Sequence, residues 1–158
     1  KLLNRNVAEP YTPGGIFAID QWRRIGVTAQ HEQLETKLYQ DGVLSGNFDV
    51  AIEFINDFTD DPTAQFSKLL TKEASPTGFS GHQDRKLDDL YERQRRVIDP
   101  TERIKLVNEF DKYAITTAYN VPFLWYQRII ANNKRVKGFK LTPSHYLGND
   151  LTTIWLDQ

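Results

Sequence analysis

The run FDVAIEFI, residues 48–55, is apolar except at Asp49 and Glu53. A continuous apolar run of this length suits a strand covered on both faces. Such strands belong to parallel sheets sandwiched between helices. What precedes the run fits that reading. KLLNRNV (1–7) reads as a short strand, and EPYTPGG (9–15), with its prolines and glycines, reads as a loop. IFAIDQWRRIG (16–26) places Ile16, Ile19, Trp22 and Ile25 at helical spacing, with Gly26 positioned to end the helix. VTAQHEQL (27–34) alternates weakly as a strand, and TKLYQDGVLSG (36–46) reads as a short helix closed by Gly46. A β-α-β-α-β order implies parallel pairing through right-handed crossovers.

The remainder is richer in helix. In DDPTAQFSKLL (60–70), Asp61 is placed to cap a helix and Pro62 to occupy its first position, where a missing N–H costs nothing. KEASPTGFSG (72–81) reads as a loop. DRKLDDLYERQRRVI (84–98) is amphipathic, with Leu87, Leu90, Tyr91, Val97 and Ile98 on one face. DPTE (99–102) starts a second helix, with Asp99 as cap, Pro100 first and Glu102 completing a capping box. Its apolar stripe is Ile104, Val107, Phe110, Ala114, Ile115 and Ala118, and Pro122 stops it. VPFLWYQRIIAN (121–132) is aromatic and β-branched and reads as a long strand, with Trp125 assigned to the core. VKGFKL (136–141) and LTTIWLD (151–157) read as further short strands. The expected fold is α/β, a single domain over 1–158 with a mixed, largely parallel sheet of about five strands flanked by helices.

Composition narrows the function classes. A chain of 158 residues at 39% hydrophobic and 26% charged can bury a core. A net charge of −1 lacks the electrostatic footprint of a nucleic-acid binder, so no nucleic-acid partner is expected. The absence of cysteine removes disulfides, thiolate metal sites and a cysteine nucleophile. No apolar stretch approaches the ~18–20 residues of a membrane helix. The abrupt start at KLLNRN and the lack of any methionine or signal-peptide pattern lead us to expect a mature or excised piece of a longer protein. His31, His82 and His145 share no motif, and HExxH, GxSxG, P-loop and GxGxxG patterns are absent.

The apolar run ends in an acidic knot, FINDFTDDP (54–62). Its carboxylates allow four readings: a metal site, a catalytic pair, a helix cap, or a grip for a cationic ligand. A calcium or magnesium site needs more oxygen ligands at set spacings than DFTDD offers. Capping accounts for Asp60 and Asp61. Asp57 stays open between a turn residue and a ligand grip. A carboxylate pair of Asp57 with Asp60 or Asp61 is the one to suspect if the chain is a small hydrolase.

Several phrases in order resemble one family. IDQWRRIGV followed by SGNFDVAI, then TGFSGHQDRKLDDLYERQRRVIDPTERIKLVNEFDKYA, then VPFLWYQRIIANNKRVKGF, together look like the second lobe of bacterial extracellular solute-binding proteins. The branch serves oligopeptide, dipeptide and nickel ABC transporters. The resemblance implies a periplasmic-binding-protein type II (Venus-flytrap) fold, of which this chain is one lobe, with the first lobe and most of the hinge absent. It implies a periplasmic or extracellular binding component without catalysis or cofactor. Its partners would be a small solute, above all a peptide, the missing N-terminal lobe, and ABC permease subunits in the membrane. In peptide-binding relatives an aspartate after the strand matching FDVAIEFI pairs with the ligand's α-ammonium, and Asp57 holds that position here. Phe54, Ile55 and Asn56 would lie alongside an extended ligand and offer it strand-like hydrogen bonds. Tyr126, on the face opposite Trp125, would line the cleft. In the loop PSHYLGND (143–150), Tyr146 is within the set that would reach a ligand, beside a plain surface-loop reading. A regulatory domain built on the same lobe, sensing its ligand as a signal, is the other class the resemblance admits.

Overall fold

The computed structural model describes residues 1–55, 59, 61–125, 129–142, 148 and 150–157. β1 (Leu2–Arg5) is the middle strand of a parallel three-stranded sheet, with β2 (His31–Leu34) on one side and β3 (Val50–Ala51) on the other. The registers set Leu2 against His31 and against Val50. Between them run α1 (Tyr11–Arg24) and α2 (Thr36–Ser45), which gives the alternation expected from the sequence. α2 ends at Gly46, whose φ of 74° is the left-handed cap that glycine adopts without penalty.

Two expectations for this half need correction. The stretch 9–15 is not all loop, because α1 begins at Tyr11. Pro13 falls in the first turn, where N–H groups have no intrahelical acceptor, so the ring displaces nothing. Gly14 and Gly15 are buried helix residues. A Cβ on Gly15 would lie 2.3 Å from His31 Nε2 and 2.6 Å from Asn4 Nδ2. The glycine is there for close approach of helix to sheet, not for flexibility. The expected stripe on α1 is also narrower than its spacing suggests, since Ile16 and Ile25 are exposed and Ala18 is buried.

The second correction concerns FDVAIEFI. Regular pairing covers only Val50–Ala51, extended by an Ile52 N–H to Leu3 carbonyl bond of 3.1 Å. Val50 is exposed and Ala51, Ile52 and Phe54 are half-buried, so the run is not covered on both faces. Among the described residues β3 is an edge strand, and Glu53, two residues beyond it, pairs with Arg5 at the end of β1 at 2.7 Å.

Helices form the other half: α3 (Pro62–Phe66), a 3-10 turn at Ser67–Leu69, α4 (Arg85–Arg96) and α5 (Pro100–Thr116). Their starts are those the sequence marks. Asp61 accepts from Thr63 N–H at 2.8 Å and Asp99 from Glu102 N–H at 2.8 Å, each before a proline, and Asp84 caps α4. Leu87 and Leu90 pack against Leu69, Leu70, Leu106, Phe110 and Ala114. A second cluster under the sheet joins Leu3, Tyr39 and Val43 to Leu34, Phe48, Ala51 and Phe79. Each fully buried leucine contributes about 1.5–3 kcal/mol, against about 0.3–0.5 kcal/mol for exposed pairs such as Arg93–Asp89 on α4. Leucines therefore hold the helix pair. Ile98, Ile104 and Ile115 are exposed, contrary to the expected stripes, because α5 meets α4 along the narrow seam 106–110–114.

The stretch 121–132 holds no strand among the described residues, and Trp125 is 96% exposed rather than core. β-branched and aromatic content makes a strand only where a neighbouring edge supplies hydrogen bonds. β4 (Val136–Lys137) and β5 (Trp155–Leu156) pair antiparallel. Among the described residues five strands are present, three in a parallel sheet and two in an antiparallel pair.

Two consequences can be measured. Gly15→Ala drives a methyl into Asn4 and His31 and should cost about 1–3 kcal/mol, read as a lower urea midpoint at unchanged slope. Asn4 Nδ2 lies 3.1 Å from His31 Nε2, which must therefore be the unprotonated acceptor, and burial lowers that ring's pKa below its ordinary 6.5. Below pH 6.5 the unfolded chain takes a proton that the folded ring refuses. Stability should hold above that pH and fall below it. The fall below pH 6.5 should shrink in His31→Gln, which keeps an acceptor but does not titrate.

Candidate functional site

Parallel sheets in α/β proteins bind ligands beyond the C-terminal ends of their strands. Here that edge carries Arg5, the last residue of β1, Glu53 to Ile55 leaving β3, and Tyr11 at the start of α1. Arg5 lies two residues beyond Leu3 and Glu53 two beyond Ala51, the last pair in register, and the two meet through their side chains. The Arg5 guanidinium donates to Glu53 Oε1 at 2.7 Å and to Tyr11 Oη at 3.1 Å. Its central carbon sits 5.0 Å from the Tyr11 ring centre and 4.8 Å from those of Tyr39 and Phe54. Arginine suits such a place, being planar, weakly hydrated and attracted to ring faces. The pair is largely enclosed, with 11% of the Arg5 side chain and 17% of the Glu53 side chain exposed.

Glu53 does more than balance the charge. The same Oε1 accepts the N–H of Phe54 at 2.9 Å, so one carboxylate holds both the guanidinium and the backbone leaving β3. Tyr39 Oη donates to the Ile52 carbonyl at 2.7 Å. Burial first, then the charge of Glu53, pushes the Tyr39 phenol far above its ordinary range, so it stays a neutral donor. The chemistry of the cluster is to fix a neutral, rigid edge from which the chain runs on through Phe54 and Ile55.

Of the residues expected to bind, Phe54 and Ile55 are brought to this edge. Phe54 lays its ring on Arg5 and gives its N–H to Glu53, while Ile55 is half exposed. Asn56, Asp57, Tyr126 and Tyr146 lie outside the described residues, as do Asp60 and His145. Asp61 is a cap. Its carboxyl is pulled down to about 2, first by Thr63 and then by Arg103, whose Nη2 lies 2.7 Å and 2.9 Å from its two oxygens. It is an ionised anchor rather than a proton donor near neutral pH. Sequence reasoning missed Arg5, Tyr11, Tyr39 and Glu53.

Elsewhere several polar side chains are tied to one another. His82 accepts the Asp84 N–H at Nδ1, so Nε2 carries the proton given to the Leu69 carbonyl, and its ring stacks on Tyr119 at 4.5 Å. The Asp84 carboxyl is lowered chiefly by the Tyr113 hydroxyl, 2.6 Å away. An open concavity of about 530 Å³ at the corner of α3, α4 and α5 is lined by Asp61 and Arg103, already paired with each other, and by Ile98. No group of three or more His, Asp or Glu among the described residues is arranged to hold a metal.

No protein-family profile matches the chain, and no curated protein matches it. Solved structures do. An ABC transporter-associated periplasmic binding protein, DppA from Helicobacter pylori, in complex with the peptide STSA, matches with a TM-score of 0.80 and 22% identity. The match covers 99% of this chain and 31% of that one. The ABC transporter substrate-binding protein CtaP from Listeria monocytogenes matches with a TM-score of 0.66 and 21% identity, over 89% of this chain and 29% of that one. The chain spans about three tenths of the length of these structures. At such identities the likeness establishes the fold: the chain has the α/β fold of one portion of an ABC transporter substrate-binding protein, as the sequence resemblance implies.

Proposed function

We propose that the chain is one ligand-clamping lobe of a substrate-binding protein that delivers peptides to an ABC importer outside the cytoplasm. The observation that carries this reading is the near-complete superposition on a protein solved with a peptide bound. In this reading the ligand lies beyond the C-terminal edge of β1 and β3. The carboxylate of Asp57 receives its α-ammonium, while Phe54, Ile55 and Asn56 run beside its backbone and Tyr126 and Tyr146 close the sides. Main-chain contacts ignore side-chain identity, so such a site accepts many peptides. Closure of a second lobe over the ligand dries the site and strengthens the ammonium–carboxylate bond. The missing lobe and the membrane permease are the partners, and no catalysis is assigned.

The exposed apolar run 121–125 and 129–130 supports the second lobe. Val121, Phe123, Leu124, Trp125, Ile129 and Ile130 are all exposed, and Phe123 lies 6.2 Å from the exposed ring of Phe17 on α1. Exposed apolar side chains gathered in this way support a surface made to be covered.

The test uses the full-length protein and an equimolar tetrapeptide library, with retained peptides identified by mass spectrometry. Wild type should retain free-amine peptides, and Asp57→Ala should weaken that binding about 10- to 100-fold. Retention unchanged in Asp57→Ala would remove the amine grip. A wild type that retains no peptide would overturn the importer reading itself.

A further inference from the structure

We propose that Arg5 and Glu53 are a charge-masked positioning pair, and that their balance sets how strongly the site selects ligands with a cationic end. The inference rests on the peptide-binding reading above. Three observations carry it. Arg5 ends β1 and Glu53 lies two residues beyond β3, both at the C-terminal edge of these adjacent parallel strands. The pair is nearly enclosed, so solvent screens it poorly. Glu53 also holds the Phe54 N–H, and Phe54 stacks on the guanidinium, so the segment that leads into the proposed site is tied to both charges.

A cation fixed at the edge of a site for an α-ammonium group would repel the ligand unless neutralised. Glu53 supplies that neutralisation at 2.7 Å and spends the same oxygen on the backbone. Arg5 in turn prevents Glu53 from acting as a second, wrongly placed anion that would draw the ammonium off its seat. Arg5 Nε is buried with no hydrogen-bond partner among the described residues, so the guanidinium is held by rings and two bonds rather than by a full set of acceptors. A purely structural ion pair would stabilise the fold without any preference among ligands. A masking pair predicts effects of opposite sign when one charge or the other is removed.

The full-length protein is offered matched tetrapeptide libraries with free and N-acetylated amino termini, and the ratio of the two affinities is measured. Glu53→Gln exposes the Arg5 charge and should lower the free-amine preference about 3- to 10-fold. Arg5→Met exposes the Glu53 charge and should raise it by a similar factor. The double variant Arg5→Met with Glu53→Gln removes both charges and should return the ratio to that of wild type, as should Arg5→Lys. Equal losses for both libraries, or shifts of the same sign in the two single variants, would overturn the proposal. If a single variant fails to fold, the double variant and Arg5→Lys decide: a ratio displaced from wild type in either overturns it. A wild type that binds neither library would instead sink the peptide reading, and the proposal with it.

Discussion

Arg5 is where the N-terminal half converges. It ends the central strand β1, reaches across to Glu53 beyond β3, hydrogen-bonds Tyr11 of α1 and faces the ring of Tyr39 of α2. Every element around the three-stranded sheet except β2 therefore meets at one guanidinium. Removing a single partner from so enclosed a pair leaves an uncompensated charge, which is far more costly than the pair is stabilising. Sheet, helices and the exit of β3 are in consequence mutually dependent. Asn4 holds α1 and β2 together through the Tyr11 carbonyl and His31, so consecutive residues of one strand both anchor the start of α1.

The helical half uses a different device. Its core is leucine on a narrow seam, and its polar interior is a set of side chains that each tie two elements. Asp88, buried on α4, accepts both the N–H and the hydroxyl of Thr71 and so fixes the chain after Leu70 against the helix. Gln94, wholly enclosed, donates to Thr63 on α3 and accepts from Arg103 on α5. These groups follow the rule that buried polar atoms are partnered. They also explain why residues that look polar in the sequence occupy the inner face of α4 in place of Ile98.

Local chemistry was readable from the chain and long-range chemistry was not. Asp61–Pro62 and Asp99–Pro100 announce helix starts because capping is decided within three residues. The alternation of apolar runs with helical spacing announced the parallel sheet. Gly14 and Gly15 misled, since a glycine that lets a helix approach a strand has the same letter as one in a loop. FDVAIEFI misled because burial on both faces depends on what lies beyond β3. The signal for Arg5 and Glu53 was present, two opposite charges interrupting two apolar strands, but it becomes legible only once the register of Leu3 with Ala51 is known. Trp125 was assigned inward on hydrophobicity alone, and a strand assignment at 121–132 needs a neighbouring edge that composition does not supply.

The exposure of Trp125 has a spectroscopic consequence. The chain has three tryptophans, of which Trp22 is half-buried and Trp155 and Trp125 are exposed. Intrinsic fluorescence from this chain therefore comes largely from indoles in water and is nearly blind to the leucine seam. An emission maximum that moves to shorter wavelength reports a surface being covered at Trp125 or Trp155, not a core being packed. The exposed apolar segment carries its own optical probe.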